Sequence, residues 1–463
     1  MSNLPRVLLA GTHSSVGKTT VTLGLLAALR RMGLSVAPFK AGPDYIDPTL
    51  HALAAGRPSR NLDAWLLPAP ALRGILRRGT RQGELAVIEG VMGLFDGIGS
   101  SQEGSTAAVA RTIDSPVVLV LDVAGMSTTA AALVLGCQRM QPGVQLAGVI
   151  LNRVGSQEHA DATAEAIRNA TGLPTLGHLP DAPALCMPER HLGLVPASER
   201  GLPASTIDGL ADLVVQRFDL AGMRAIATSA AWLPNDEPHT PVESGVENAS
   251  VRIGIAQDRA FGFYYADTFD LLSELGAEVV PFSPLDDERL PESLDGIYLG
   301  GGFPELYARQ IAANAGMRED LERFARRGAP VYAECGGLMA LGRELVTFEG
   351  EHFAGFGLLP LVSRMGRERL TIGYREIEAV RTSALLKKGQ RVRGHEFHWS
   401  LADAPPPALA AYRVLPSGPL EGYCVGSVLG SYVHLSFAAD PAPLVRFVQS
   451  AARARESASS NTG

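Results

Sequence analysis

The stretch "GTHSSVGKTT", residues 11–20, carries the residue types of a phosphate-binding loop, with one departure. The common pattern is Gly, four residues, then Gly-Lys-Ser/Thr. Counting back from Gly17-Lys18-Thr19 puts Thr12 at the leading position and Gly11 one place early. The chemistry survives this shift. A short strand, a turn of small residues and a helix N-terminus still present backbone N–H groups and a positive dipole end to an anion. Gly11, Thr12, Ser15, Val16, Gly17, Lys18, Thr19 and Thr20 are therefore the candidate nucleotide contacts, with Lys18 adding a cation for the outer phosphates. The Thr19 hydroxyl is placed to ligate Mg²⁺. Glu89 follows the apolar run "LAVI" and should sit at a strand end beside the phosphates, as a second Mg²⁺ ligand. Lys40 and Asp44 follow another strand-like run. With Tyr45 they are candidates to meet phosphate, metal (Asp44) or substrate carboxylates.

A different chemistry is written at "APVYAECGGLMALG", 329–342. A strand ending in Cys335, two glycines and a helical pattern describe a sharp strand-to-helix turn that exposes a side chain at the top of a sheet. The Gly336 N–H can serve an oxyanion, and the helix N-terminus favours the thiolate. "YLGGGFPE" (298–305) runs a strand into glycines, and Gly301 and Gly302 allow the close backbone approach a second oxyanion donor needs. His434 in "GSYVHLSF" (430–437) ends a late strand where a base for the cysteine would sit. "RGHEFHWS" (393–400), with His395, Glu396 and His398, resembles a metal cluster, but alternation along a strand puts His395 and His398 on opposite faces, favouring a structural or domain-contact role.

The elements that must hold these groups are legible as near-continuous apolar runs separated by helical patterns: "VLLA", "LAVIEG", "PVVLVLD" and "LAGVILN", then "VRIGIA", "AEVVPF", "GIYLGGG", "PVYAECGG" and "VLGSYVH". Such runs are what parallel strands covered on both faces require, so the expected class is α/β with two doubly wound, mostly parallel-sheet domains. At 463 residues the chain is too long for one core. The expected domains are 1–225 and 251–447, joined by a polar Pro/Ser/Asn-rich linker at 226–250 and followed by a disordered tail at 448–463. The net charge of −7 argues against a general nucleic-acid binder, and the apolar runs are too short to span a bilayer. Four scattered cysteines (Cys137, Cys186, Cys335, Cys424) fit a reducing cytoplasm. The chain enters a strand almost at once, so no signal peptide is expected.

Residues 250–447 resemble the triad-type class I glutamine amidotransferases through the Cys335 elbow, the glycine loop and the downstream His434. That family usually has His-x-Glu, whereas Leu435 and Ser436 follow His434. The expectation is a Cys-His dyad with Ser436 or a backbone carbonyl orienting the imidazole. The first half resembles dethiobiotin synthetase, a P-loop NTPase relative whose loop also ends in Val-Gly-Lys-Thr without the leading glycine. The adenine-contacting Asn of that group corresponds to Asn152. Together the halves resemble cobyrinic acid a,c-diamide synthases, on "PFKAGPDYIDP", "RNLD", "VIEGVMGLFDG", "PERHLGL", "GGFPE" and "AECGGLM". Cobyric acid synthases typically carry a Gln-Asn stretch where "AGPDYIDP" stands. The resemblance implies ATP- and glutamine-dependent amidation, through acyl phosphates, of the a and c carboxylates of cobyrinate, or alternatively of metal-free hydrogenobyrinate. Mg²⁺ is the implied cofactor; the implied partners are ATP, L-glutamine and a corrin macrocycle, with a homodimer allowed and neither nucleic acid nor membrane involved. Ammonia must travel unprotonated, which implies an enclosed passage. A reading of another class is a ParA-like ATPase switch with an inactive amidotransferase domain; an intact Cys335 and His434 argue against it.

Overall fold

The computed structural model describes residues 4–182, 189–190, 193–194, 202–234, 251–368 and 370–460. It divides into two compact units, Met1–His239 and Thr240–Gly463. In the first, seven strands form one sheet in the order Arg60–Leu62, Val36–Ala41, Leu85–Glu89, Arg6–Gly11, Val117–Asp122, Leu146–Val154, Thr175–Pro180. Every neighbouring pair is parallel. Helices cover the sheet, which is why its central strands read as apolar runs rather than alternating ones. The helix Lys18–Arg31 begins where the phosphate loop ends and buries Leu25, Leu26 and Leu29 against Val87, Val118 and Ile150. This unit continues past residue 225: the helix Leu220–Thr228 packs Met223 and Ala227 into the core, and the buried Arg6 donates to the Ala231 carbonyl at 2.6 Å. Cys186, residues 235–250 of the expected linker and residues 188, 191 and 192 of "PERHLGL" lie outside the described residues.

The second unit is built on a ten-stranded sheet. Ala277–Phe282, Val251–Ala256, Gly296–Leu299, Val331–Glu334 and Val428–Ser431 are parallel neighbours. The sheet then continues antiparallel through Leu420–Val425, Ala410–Val414, Thr371–Ala379, Arg391–His398 and His434–Leu435. The parallel half holds the predicted runs, and the antiparallel half, whose longest strands are only partly buried, gave no such signal. The tail departs from expectation: one helix, Ala442–Ser460, runs through it. Leu444, Phe447, Val448, Ala451 and Ala452 recur at helical spacing and pack on the second core, and the Ala- and Arg-rich stretch beyond propagates a helix nucleated there. Among the described residues no helix is long and apolar enough to cross a membrane.

Candidate active sites

In the first unit the predicted residues converge at the carboxyl ends of adjacent parallel strands, where ligands of open α/β sheets bind. The strand Arg6–Gly11 delivers the loop and the strand Leu85–Glu89 beside it delivers Glu89. Val36–Ala41 lies on the other flank, with Lys40 directly paired to Glu89. Gly17 caps the helix at φ 93°, and a Cβ there would lie 2.0 Å from Asn152 Nδ2, so only glycine fits. That Asn152 nitrogen donates to the Val16 carbonyl at 2.8 Å, bracing the loop from the strand Leu146–Val154. Ser15 sits at φ 64° and Thr12 is half-buried. Lys18 Nζ lies over the loop, donating to Met92 O at 2.7 Å and His13 O at 3.2 Å. Burial, and then the Lys40 charge, push Lys18 down to about 8.

Beneath the loop is a buried polar network. Glu89 Oε1 accepts from the Thr19 hydroxyl at 2.7 Å and from Lys40 Nζ at 2.8 Å, while Oε2 meets His51 Nε2 at 2.6 Å. Lys40 Nζ also donates to Asp47 Oδ2 at 2.5 Å and stands 3.9 Å from Asp44 Oδ2. Burial works against the Lys40 charge, but Asp47, Glu89 and Asp44 outweigh it and hold the ammonium. Burial likewise opposes the Glu89 charge, and Lys40 and His51 push that carboxyl below its usual range. Asp47 bears the cost of crowding: burial and then the Asp44 charge raise its carboxyl well above the usual range. Asp44 Oδ1 accepts from the Ile46 and Asp47 amides, closing the turn into the helix Asp47–Ala55. Tyr45 is buried beside it. Among the described residues no group of three or more His, Cys, Asp or Glu side chains forms a metal cage. The Thr19–Glu89 pair is an all-oxygen donor set of the sparse kind Mg²⁺ accepts when phosphates and water complete its shell.

In the second unit, Val331–Glu334 ends at a turn where Cys335 holds φ 47°, ψ −102°, a strained backbone for a residue with a Cβ. Its amide is anchored to Ser431 O at 2.8 Å. A Cβ on Gly336 would stand 2.8 Å from the Gly302 nitrogen, so the two backbones touch at the elbow. A Cβ on Gly302 would meet Ala260 O at 1.9 Å, and one on Gly301 would meet His434 Cε1 at 2.6 Å. His434 is buried and hydrogen-bonded to the Cys335 side chain. Burial opposes its charge, but the bonds to Cys335 and Glu334 outweigh burial and push the imidazole up to about 10. A carboxylate does face the imidazole, though not from the His-x-Glu position, where Ser436 stands. His434 Nδ1 lies 3.3 Å from Glu334 Oε2. Among the described residues Ser436 makes no side-chain bond to His434, and the carboxylate facing the imidazole Nδ1 is that of Glu334.

Two family models match the chain: a CobQ/CobB/MinD/ParA nucleotide-binding domain over residues 7–195 and a CobB/CobQ-like glutamine amidotransferase domain over residues 252–442. A "Cobyrinate a,c-diamide synthase" of Dehalococcoides mccartyi is 42% identical over 96% of this chain and 98% of its own length. Relatives of that name from Synechocystis sp. (41% identical, 95% of this chain, 92% of theirs) and Salmonella typhimurium (41% identical, 96% and 98%) align as fully. The chain belongs to the cobyrinate a,c-diamide synthase family.

Within this cobyrinate a,c-diamide synthase fold, sequence reasoning missed Glu334, Asp47 and His51. Asp47 had a signal, since Asp44 and Asp47 lie one helical turn apart in "PDYIDP". Glu334 had a stronger one: a lone carboxylate inside the apolar run "PVYAEC" needs buried partners. His51 shows no local pattern. His395 stacks on His434 at 5.1 Å and His398 on Tyr432 at 3.9 Å.

Proposed function

We propose that the chain amidates the a and c carboxylates of cobyrinate, spending one ATP and one glutamine on each. The observation that carries this reading is the presence of two complete chemical sites in one chain of this family, a phosphate loop over a Lys40–Glu89 network and a Cys335–His434 pair. A carboxylate and ammonia do not condense directly, because oxide would have to leave. A substrate carboxylate oxygen therefore attacks the ATP γ-phosphorus, ADP departs, and ammonia displaces phosphate from the acyl phosphate. Gly11, Thr12, Ser15, Val16, Gly17, Thr20 and the braced Asn152 are the assigned nucleotide contacts, with Lys18 on the outer phosphates. Thr19 and Glu89 would hold Mg²⁺, which supplies charge neutralisation on the transferring phosphoryl group. Asp44, whose side chain is partly exposed, is the third candidate ligand. Lys40, Asp44 and Tyr45 line the side from which a polycarboxylate macrocycle would approach, although Lys40 is already paired with Asp47.

At the other site the Cys335 sulfur attacks the glutamine carboxamide carbon. The C–N bond breaks as His434 protonates the departing nitrogen, and water hydrolyses the thioester to glutamate. Gly336 and Gly302 would present N–H groups to the oxyanion, with Gly301 leaving room for His434. A cytoplasmic homodimer working without nucleic acid or membrane completes the reading. The test is mass spectrometry of products from cobyrinate and from hydrogenobyrinate with ATP, Mg²⁺ and glutamine. Two amidations of cobyrinate are expected. Amidation of hydrogenobyrinate alone reassigns the substrate, and ATP turnover without either product, with no glutaminase activity, favours a nucleotide switch instead.

A further inference from the structure

We propose that Glu334, the residue immediately before Cys335, is the positioning residue of the amidotransferase site: its carboxylate keeps a proton on His434 Nδ1 and so turns the other ring nitrogen to the thiol. This rests on the reading of Cys335 as nucleophile. The carboxylate is 1% exposed, and two donors converge on each of its oxygens. Oε1 accepts from the Tyr332 hydroxyl at 2.5 Å and the Leu435 N–H at 3.0 Å, and Oε2 from the Tyr298 hydroxyl at 2.8 Å and His434 Nδ1 at 3.3 Å. An ionised carboxylate only accepts, so the nitrogen facing it must donate.

The supporting shell is closely packed. The Tyr298 and Tyr332 rings pack 4.9 Å apart, and both lie edge-on to Phe437 at 6.4 and 6.2 Å. Parallel pairing sets Glu334 beside Ser431, three residues before His434, so strand register brings nucleophile, base and carboxylate together. The amidotransferase pattern supplies its glutamate two residues after the histidine; here the carboxylate comes from the nucleophile's own strand. Before attack the proton already rests on His434, whose imidazole is held up to about 10, and the Glu334 charge lies behind that imidazolium. The proton then leaves with ammonia, and Glu334 exchanges none of its own.

A purely structural role, holding the 431–435 turn through the Leu435 bond, predicts different kinetics. The test is Glu334→Gln, which conserves shape and removes the charge. Glutaminase kcat should fall roughly 10²-fold or more, by analogy with about 10⁴ for a neutralised triad carboxylate and allowing for the greater intrinsic nucleophilicity of sulfur. KM should stay within about threefold, the sign of an intact glutamine site, and ammonium-supported amidation should persist in the other unit. Because groups acting as a unit are non-additive, the same change in a His434→Ala background should slow alkylation of Cys335 by iodoacetamide less than about threefold further. A glutaminase kcat within about threefold of wild type, or an equal loss in both backgrounds, overturns the proposal. The unmutated protein supplies a check independent of folding: ¹⁵N chemical shifts should show His434 Nδ1 protonated at neutral pH, and a bare Nδ1 overturns the assignment. Undiminished glutamine use by Cys335→Ser would instead sink the nucleophile reading itself.

Discussion

Lys18 shows how a single side chain ties the fold to ligand chemistry. Burial and the Lys40 charge bring its ammonium down to about 8, so it is charged below that pH and loses its proton above it. Triphosphate favours the charged form. ATP affinity should therefore be flat below pH 8 and fall by up to about tenfold per unit above it. Calorimetry in buffers of differing ionisation enthalpy should register proton uptake near pH 8, and Lys18→Ala should abolish it. Glu89 carries two duties, a metal ligand in the proposed chemistry and the shared partner of Lys40, Thr19 and His51. Glu89→Gln should slow acyl phosphate formation, with partial rescue by raised Mg²⁺, because a neutral amide is a poorer ligand for a hard cation. It should also cost roughly 2 kcal/mol of stability from weakened charge-assisted bonds, read by urea unfolding. A rate unchanged at limiting Mg²⁺ would exclude the metal role. Ser436 has lost its expected task, so Ser436→Ala should leave glutaminase activity within about twofold of wild type.

At the scale of elements, two tight turns do comparable work by different means. The phosphate loop needs Gly17 both for its left-handed backbone and for the Asn152 amide pressed against it. Gly17→Ala should remove ATP binding while leaving glutamine hydrolysis intact. The elbow instead places strain on Cys335 itself and leaves the glycines to its neighbours. At Gly301 the added methyl of alanine would meet the His434 ring at 2.6 Å. The imidazole must shift, and a displacement near 1 Å costs about 10²-fold when a reacting group is misplaced. Gly301→Ala should thus lose glutaminase activity, measured as glutamate release, and keep amidation from added ammonium salts. Both turns were legible because every residue that defines them is contiguous: apolar run, small residues, reactive side chain, helix. The antiparallel strands were not, since half-buried polar strands carry too weak an apolar signal.

For the whole molecule, two units with separate cores imply separable half-reactions. Lys18→Ala should abolish amidation yet leave glutamine hydrolysis measurable. Cys335→Ser should lose glutamine-dependent synthesis but work with ammonium salts, best at alkaline pH where more NH₃ is free. Near wild-type amidation by the first variant, or undiminished glutamine use by the second, would break the division of labour.

The sequence by itself determined the α/β class, the phosphate loop with Lys18 and Thr19, the Cys335 elbow and the candidate base His434, because local spacing and backbone sterics dictate them. The tertiary structure alone decided what surrounds those groups. His51 joins Glu89 across 38 positions, Lys40 meets Glu89 through strand register, and Glu334 reaches His434 across 100. A buried carboxylate must find donors wherever the packed strands supply them. Strand order sets those partners, and strand order is a property of the whole sheet that no short stretch of sequence records.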